Sequence, residues 1–175
     1  MSAVQSQASS DLADFAYLPP GEGETFWVVG DLVTLKATSA QTNGAFTQIE
    51  TTVLPNAGPP PHIHTREDEW FTILEGELHF EINGKAVVAT AGTSLCGPRN
   101  IPHSFRNVSG KTAKILVTIT PGGIETFFEA AGIRIADPAD IPAEVTGVHI
   151  GKLLSAAPAQ GIEILPPPQS AQPTR

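Results

Sequence analysis

The stretch from Gly58 to Phe71 reads Gly-Pro-Pro-Pro-His-Ile-His-Thr-Arg-Glu-Asp-Glu-Trp-Phe. It is the most informative part of the sequence for predicting the fold and the chemistry of this protein. His62 and His64 are two residues apart, so on an extended strand both imidazoles project from the same face. Glu69 follows five residues after His64, which leaves room for a turn and for entry into a neighbouring strand. The stretch therefore predicts two strands that bring two imidazoles and a carboxylate close together.

Short strand-like runs separated by turn signals continue on both sides of this stretch, from Thr25 to Ile119. The clearest run is residues 77–82, where apolar and polar side chains alternate strictly, as in a strand with one buried face. It ends at Asn83-Gly84, the strongest short-range hairpin signal in the chain. About eight or more short strands at regular spacing predict an all-β barrel or sandwich.

Two short helices are predicted after Pro121, where the character of the sequence changes. The first has apolar residues at helical spacing on one face and is followed by Gly132, where a C-terminal cap belongs. A second, weaker helix is predicted from about residue 142 to residue 156. Because both helices are too short to form a domain, we expect them to pack against the outside of the barrel. The apolar face of the first helix consists of Ile124, Phe127, Phe128 and Ala131.

The chain is predicted to form one domain, because 175 residues fit a single domain with little to spare. Residues 1–20 are predicted to be a flexible arm, and residues 21–121 the β-barrel. Residues 122–167 are predicted to be a helical extension of the same domain. The prolines at residues 166–168 cannot continue a helix or a central strand, and residues 168–175 are predicted to be a tail.

The charge and the cysteine content argue against several classes of partner and site. The chain has 10 Lys+Arg and 18 Asp+Glu residues, a formal net charge of -8, which disfavours nucleic acid and membrane surfaces as partners. Cys96 is the single cysteine, so an intrachain disulfide and a thiolate cluster are both excluded. Residues 1–21 lack the features of a secretion signal, and no apolar run is long enough to cross a membrane. We therefore expect a cytoplasmic protein.

Three of the five histidines and one glutamate are the candidate functional residues. Neutral imidazole nitrogens together with a carboxylate oxygen suit Mn, Fe, Co, Ni, Cu or Zn, and they are too nitrogen-rich for Ca or Mg. The set predicts one divalent transition-metal ion with open positions for water, dioxygen or a small-molecule substrate. One candidate, His103, lies in residues 98–107, far along the chain from the other three, which are His62, His64 and Glu69.

Two other acids precede Glu69, and alternation along the strand separates them from it. Glu69 and Phe71 share a face with apolar neighbours, whereas Asp68 points to the opposite face. Glu67 has the same parity as Glu69 but lies nearer the turn, and it stays open as the alternative ligand. Phe71 and Phe105 share parity with the candidate ligands, so we expect them to line a pocket above the metal.

Two groups of residues have the spacing of known motifs: His62, His64, Glu69 and Gly76 form the first, and Gly92, Pro98, Asn100, His103 and Asn107 form the second. They resemble the two motifs of the cupin superfamily. Residues 58–71 look most like small single-domain bacterial cupins related to quercetin 2,3-dioxygenases, and the resemblance covers residues 20–167. Asn56 and Asn100 stand where the motifs usually have glycine. Because asparagine tolerates positive φ better than other non-glycine residues, both turns can be preserved.

The resemblance implies a cupin fold, an all-β double-stranded β-helix or jelly-roll barrel, whose metal ligands are His62, His64, Glu69 and His103. It also implies a metal-dependent dioxygenase acting on a flavonol-like or other enol-bearing aromatic compound. In that reaction the substrate hydroxyl is acidified beside the metal, Glu69 takes its proton, and the resulting anion reacts with dioxygen. Finally, it implies a homodimer, for which unpaired edge strands between Thr25 and Ala37 are the expected contact.

Two other functions stay open at the level of sequence, because cupin folds serve many functions. One is a non-catalytic barrel that binds a metal and a small ligand, and the other is a decarboxylase or isomerase of a small organic acid. The side chains of the pocket wall discriminate between the dioxygenase and a protein that takes a small carboxylate. An apolar cavity of aromatic size favours the dioxygenase, whereas arginine or lysine facing the metal favours a small carboxylate.

Overall fold

The computed structural model describes residues 16–166, which contain twelve strands and two α-helices. Most of the predicted N-terminal arm and all of the predicted C-terminal tail lie outside the described residues. The strands are β1 (Thr25–Val28), β2 (Asp31–Ala37), β3 (Thr47–Val53), β4 (His62–His64), β5 (Asp68–Glu75), β6 (Glu77–Ile82), β7 (Lys85–Thr90), β8 (Ser94–Gly97), β9 (His103–Arg106), β10 (Ala113–Thr120), β11 (Ile133–Ile135) and β12 (Ile162–Ile164). The helices are α1 (Glu125–Ala131) and α2 (Gly147–Ala156), with short 3-10 helices at Pro138–Asp140 and Ala157–Gln160.

The strands form two antiparallel sheets, which confirms the prediction of an all-β jelly-roll barrel. The larger sheet has seven strands in the order β11-β1-β2-β3-β10-β5-β8, and the smaller has five in the order β12-β4-β9-β6-β7. Strands distant in sequence are therefore paired, as in β4 with β9 and β5 with β10. This topology brings the two halves of the sequence pattern together.

The core lies between the sheets, and the alternation of apolar residues places it there. Along β3 and β10, neighbours in the larger sheet, every second residue is buried. Val53, Ile115 and Ile119 of the larger sheet are completely buried. Leu78 and Phe80 of β6 are buried apolar side chains from the smaller sheet. Each such side chain stabilises the fold by roughly 1.5–3 kcal/mol relative to leaving it exposed.

Asparagine residues occupy left-handed positions in several turns. Asn56 has φ 63° and Asn100 has φ 62°, which confirms that asparagine replaces glycine at both positions without changing the turn. Asn83 and Gly84 have φ 51° and 71°, the positive values that a two-residue hairpin turn requires. This turn connects β6 to β7, as the sequence predicted.

The two helices pack against each other, and α1 also packs against β1. The predicted apolar face of α1 is buried. Helix α2 begins at Gly147 rather than near residue 142, because Thr146 is still extended and its backbone N–H donates to Nδ1 of His149 at 3.0 Å. The His149 ring packs edge-on against Trp27, with ring centroids 4.7 Å apart. Neither of these helices has the length and apolar character needed to cross a membrane, and the same holds throughout residues 16–166.

The expectation that residues 25–37 offer unpaired edge strands is wrong. Strand β1 pairs with β11 on one side and β2 on the other, and β2 in turn pairs with β3. The reason is that the chain returns after α1 as the short strand β11 and covers β1, a long-range pairing that local alternation does not reveal. In the described residues the sheet edges are β11, β8, β12 and β7. The homodimer itself stays a prediction.

Candidate metal centre

The three candidate histidines lie on two paired strands of the smaller sheet. Strand β4 has only three residues, and its alternation buries both imidazoles while Ile63 is half-buried. His103 is the first residue of β9 and lies directly opposite His62 in the antiparallel register. The exposed fractions of His62, His64 and His103 are 8%, 3% and 2%. All three rings therefore face the barrel interior.

Glu69 comes to the histidines from the other sheet. It is the second residue of β5, where Glu69, Phe71 and Ile73 are buried while Trp70 is exposed. This is the parity that the sequence predicts. The four side chains thus come from three strands and both sheets, and regular backbone rather than a loop holds each of them.

Oε2 of Glu69 is the common contact of the three imidazoles. It lies 2.7 Å from Nε2 of His103, 3.4 Å from Nε2 of His64 and 3.9 Å from Nε2 of His62. One ligand atom from each of the four residues lies within 4.8 Å of the others. Two atoms bonded on opposite sides of one ion at about 2.1 Å are about 4.2 Å apart, so the cluster is close to the size of a metal coordination shell and slightly wider.

Backbone carbonyl groups hold the outer nitrogens of two of the imidazoles. Nδ1 of His62 donates to the carbonyl of Pro60 at 2.8 Å, and Nδ1 of His103 donates to that of Ile101 at 2.9 Å. A neutral imidazole carries one N–H, so a proton on Nδ1 leaves the Nε2 lone pair directed at Glu69. A lone pair and a carboxylate oxygen 2.7 Å apart repel each other, so either a proton on Nε2 of His103 donates to Glu69 or a metal cation binds both atoms. The donor set therefore fits a first-row transition ion.

Glu67, the acid that the sequence left open as an alternative ligand, lies behind the His64 ring. It is only 5% exposed, and its Oε2 is 3.4 Å from Nδ1 of His64. The Nε2 atom of the same ring faces Glu69. Glu67 thus lies outside the cluster of four, beside the ring nitrogen of His64 that faces away from Glu69.

Burial and neighbouring charges set the protonation states of the cluster. Burial alone would raise the pKa of Glu69, but the charge of His64 and the hydrogen bond and charge of His103 outweigh it and lower the pKa to about 2. Burial lowers the pKa of His62 to about 4, although the charge of Glu69 opposes this. At neutral pH Glu69 is therefore anionic and His62 neutral, which are the states that bind a cation.

The cluster opens onto a cavity of about 100 Å³ that both sheets and both helices line. Phe71 and Phe105 lie in its wall, together with the two phenylalanines of α1, residues 127–128. Apart from the cluster, the polar side chains in the wall are Asp31 and Thr51. Among residues 16–166, lysine and arginine do not contribute to this wall.

Two residues that shape the site were not singled out from the sequence. Gly97 pairs with Glu69 across β5 and β8, and a Cβ at this position would lie 3.2 Å from Cγ and from Nδ1 of His103. Its position directly before Pro98 of the second motif is the signal that would have found it. Asp31 carries no comparable signal, because the sequence marks it only as part of a turn at Gly30.

A jelly-roll barrel with three buried imidazoles and one carboxylate defines a class of protein, the β-barrels whose interior can hold a metal ion. Residues 49–119 match the family model described as Cupin domain, and this range contains all four cluster residues. The match bears out the resemblance of the two motifs to those of cupins over residues 49–119.

Curated relatives and solved structures agree with this assignment. The chain is 27% identical over 176 residues to quercetin 2,3-dioxygenase of Bacillus subtilis (strain 168), an alignment covering 91% of this chain and 49% of that protein. It is 34% identical over 79 residues to the HTH-type transcriptional regulator PuuR of Escherichia coli (strain K12), covering 45% of this chain and 43% of the regulator. The chain thus spans about half the length of the curated relatives it matches. The structure of KdgF from Halomonas sp. shares the fold, with a TM-score of 0.55, 16% identity, and coverage of 64% of this chain and 98% of KdgF.

Proposed function

We propose that this protein is a metal-dependent dioxygenase of the quercetin 2,3-dioxygenase type that acts on a small enol-bearing or aromatic compound. The observation that carries the proposal is a cluster of three imidazoles and one carboxylate at an apolar cavity whose described wall holds no lysine or arginine. A carboxylate substrate would find no cationic side chain there, which disfavours a decarboxylase or isomerase of small acids. Similarity to the Bacillus subtilis quercetin 2,3-dioxygenase supports the reaction class.

The proposed ligands of one divalent ion (Mn, Fe, Co, Ni, Cu or Zn) are His62, His64, His103 and Glu69. When bound, such an ion supplies a positive charge that lowers the pKa of a neighbouring hydroxyl, and it offers open positions to small ligands. The chain contributes imidazoles whose outer nitrogens are held by carbonyl groups and whose inner nitrogens converge on one point. These donors need little reorganisation because strands of a packed barrel carry them.

Glu69 is the proposed proton acceptor as well as a ligand. Its Oε2 makes all three contacts to the imidazoles, so Oε1 is the oxygen that accepts a hydrogen bond from a substrate hydroxyl. A carboxylate with a pKa near 2 is a weak base. It takes the proton only from a hydroxyl that a nearby cation has already made acidic, which couples proton transfer to metal occupancy.

Phe71 and Phe105 are proposed to pack against the substrate beside the cluster. Both line the cavity, and their rings meet edge to face with centroids 6.2 Å apart. Such a wall excludes water and favours a flat apolar ligand. A volume of about 100 Å³ is nearer to the ~150 Å³ that holds benzene than to the ~300–1,000 Å³ of drug-sized ligands. We therefore expect a substrate the size of a single ring rather than a full flavonol.

Metal analysis and oxygen uptake test this proposal on the full chain. Protein purified without chelator should contain a transition metal. After loading with Mn, Fe, Co, Ni or Cu, it should consume dioxygen with at least one compound from a panel of flavonols, single-ring enols and enol-bearing diketones. His103→Ala should bind metal at least ~10-fold more weakly, and Glu69→Gln should keep part of the metal but lose oxygen uptake.

His79→Ala is the matched control for the histidine variants. His79 is exposed and pairs with Glu77 at 3.1 Å on the outer face of β6, so its loss should leave metal binding unchanged. Metal binding by His103→Ala as tight as that of the wild type would show that the ligand set is wrong. Absence of oxygen uptake with every metal and every compound in the panel would remove the dioxygenase from consideration.

A further inference from the structure

The cavity contains a second buried carboxyl group, Asp31, which the proposed reaction does not use. Asp31 is only 5% exposed, and its Oδ1 has no hydrogen-bond partner within the described part of the chain. Buried polar groups are hydrogen-bonded in the great majority of cases, so this carboxyl oxygen in the cavity wall is free to accept a hydrogen bond from a ligand or a water molecule in the cavity. Burial raises the pKa of Asp31 to about 7, so near neutral pH this group can donate or accept a hydrogen bond.

Asp31 faces the interior because of the alternation along β2. It is the first residue of the strand, and Asp31, Val33 and Leu35 are buried while the residues between them are only half-buried. In the larger sheet, β3 and β10 lie between β2 and β5. Asp31 therefore belongs to a different part of the cavity wall from Glu69.

Thr51 adds a hydroxyl group on the same part of the wall. Asp31 lies opposite Val53 in the register of β2 and β3, and Val33 lies opposite Thr51. Thr51 is thus the diagonal neighbour of Asp31 on the same face, and the Cβ atoms of such a pair are about 7 Å apart. Thr51 is buried and lines the cavity. One hydroxyl of a ligand placed between them can donate to Asp31 and accept from Thr51.

The turn that leads into Asp31 is strained. Val29 and Gly30 form the two-residue connection between Val28 and Asp31. Val29 has φ 42°, a value that is rare for a β-branched residue, and its side chain also lines the cavity. Strained residues of this kind are concentrated at ligand sites, where the surrounding structure holds them.

We propose that Asp31, assisted by Thr51, is the specificity-determining residue of this cavity and binds a hydroxyl group of the ligand. The inference rests on the proposed function only in taking the cavity as the ligand site. The rest of the wall outside the metal cluster is apolar, so a small ring with one hydroxyl group at this end, apart from a hydroxyl at the metal cluster, leaves no polar atom unpaired. A ligand carboxylate at this end is disfavoured, because the wall offers no cation beside Asp31.

The test compares phenol with toluene, in which a methyl group of similar size replaces the hydroxyl. Both are titrated into the full chain as purified, by calorimetry or ligand-observed NMR, and the wild type is expected to prefer phenol. Asp31→Leu keeps the shape of the side chain and removes both oxygens. It should lower the ratio of phenol affinity to toluene affinity by about tenfold or more. Thr51→Val should lower the same ratio by a smaller factor.

His103→Ala separates this inference from the proposed function. If phenol bound through its hydroxyl at the metal cluster, the preference for phenol over toluene would be lost in His103→Ala and kept in Asp31→Leu. We expect the preference to be kept in His103→Ala and lost in Asp31→Leu. Asp31→Asn retains an oxygen acceptor and provides a second folded variant, for which an intermediate ratio is expected. The inference is overturned if Asp31→Leu has the same ratio of phenol affinity to toluene affinity as the wild type, or if the wild type does not prefer phenol. Neither outcome bears on the metal-binding and oxygen-uptake results that test the proposed function.

Discussion

At the level of single residues, the space occupied by the His103 ring depends on a glycine in the neighbouring strand. A Cβ at Gly97 would lie 3.2 Å from two atoms of His103 and 3.2 Å from the Phe71 ring. Real Cβ contacts are seldom so short, so one of these rings has to move by a few tenths of an ångström. Both rings belong to the proposed site. A side chain at position 97 would therefore displace either the candidate ligand His103 or the cavity-lining ring of Phe71.

Gly97→Ala is therefore expected to weaken metal binding by about tenfold, the lower end of the effect of altering the groups around a ligand. The measurement is a metal titration followed by competition with a chelator. Gly151→Ala in α2 is the matched control, because its Cβ would meet nothing within 4 Å. It should leave metal binding unchanged and stabilise the protein slightly. Equal metal affinity of Gly97→Ala and Gly151→Ala would show that His103 has room to spare.

At the level of elements, a buried glutamate ties α1 to the larger sheet. Oε1 of Glu125 accepts hydrogen bonds from the backbone N–H of Ser39 at 2.8 Å and from the Ser39 hydroxyl, and Oε2 accepts one from the hydroxyl of Thr47 at 2.5 Å. Burial would raise the pKa of Glu125, but these hydrogen bonds outweigh it and lower the pKa. Because α1 also places two phenylalanines in the cavity wall, this carboxylate supports the site from a distance.

Glu125→Ala is expected to lower the free energy of unfolding by about 2–4 kcal/mol, because several donors lose a charged acceptor in a buried place. Urea denaturation monitored by circular dichroism measures this change. Glu129→Ala, an exposed position of the same helix, should change stability by less than about 0.5 kcal/mol. A loss in Glu125→Ala no larger than that of Glu129→Ala would contradict the proposed tie.

The loop between β9 and β10 is held by Asn107, the last residue of the second motif. Asn107 is completely buried. Its amide nitrogen donates to the carbonyl groups of Val53 at 2.9 Å and of Lys111 at 2.6 Å. Its oxygen accepts from the backbone N–H and the hydroxyl of Ser109. Asn107 therefore fastens this loop to the end of β3, which gives a motif residue outside the metal cluster a structural role.

For the whole molecule, Asp31 gives stability a dependence on pH near neutrality. Its pKa rises from 3.8 to about 7 on burial, so the folded chain holds this proton more tightly than the unfolded chain does. The stabilisation is fully present below about pH 4 and is lost as the pH rises through about 7. The rise in the pKa of Asp31 corresponds to a change in the free energy of unfolding of roughly 4 kcal/mol at most.

Asp31→Leu should consequently gain about 2–3 kcal/mol of stability relative to the wild type as the pH increases from 5 to 8. Urea denaturation of both proteins at several pH values measures this difference. Glu69 and Glu125 titrate on the acid side with lowered pKa values in both proteins, so their effects cancel in the comparison. Parallel stability curves for the two proteins would mean that Asp31 is not buried as an uncompensated acid.

Much of the fold and of the candidate cluster could be read from short-range patterns. Alternation in residues 77–82 and the Asn83-Gly84 pair predicted β6 and its hairpin, because side-chain direction in a strand repeats every second residue. The same rule placed Glu69 with Phe71 on the inner face of β5. Asn56 and Asn100 were identified as turn residues because few residues adopt positive φ without a large cost.

Other features depended on which strands become neighbours in the folded barrel. The local sequence pattern along β1 does not predict that β11 pairs with it. Similarly, Gly97 matters because the register of β5 and β8 sets it against Glu69. Asp31 lies one strand from Thr51 and in the wall of the same cavity as Glu69, although nothing in its own sequence neighbours distinguishes it from a surface turn residue.

The primary structure thus specified the strands, their inner faces and the types of residue at the candidate metal centre, since each follows from periodicity or motif spacing within a few residues. The distances between the four candidate ligands, the size of the cavity and the unpartnered state of Asp31 were decided by packing alone. Those quantities arise where two sheets and two helices meet, and they depend on long-range pairings that no local stretch of sequence encodes.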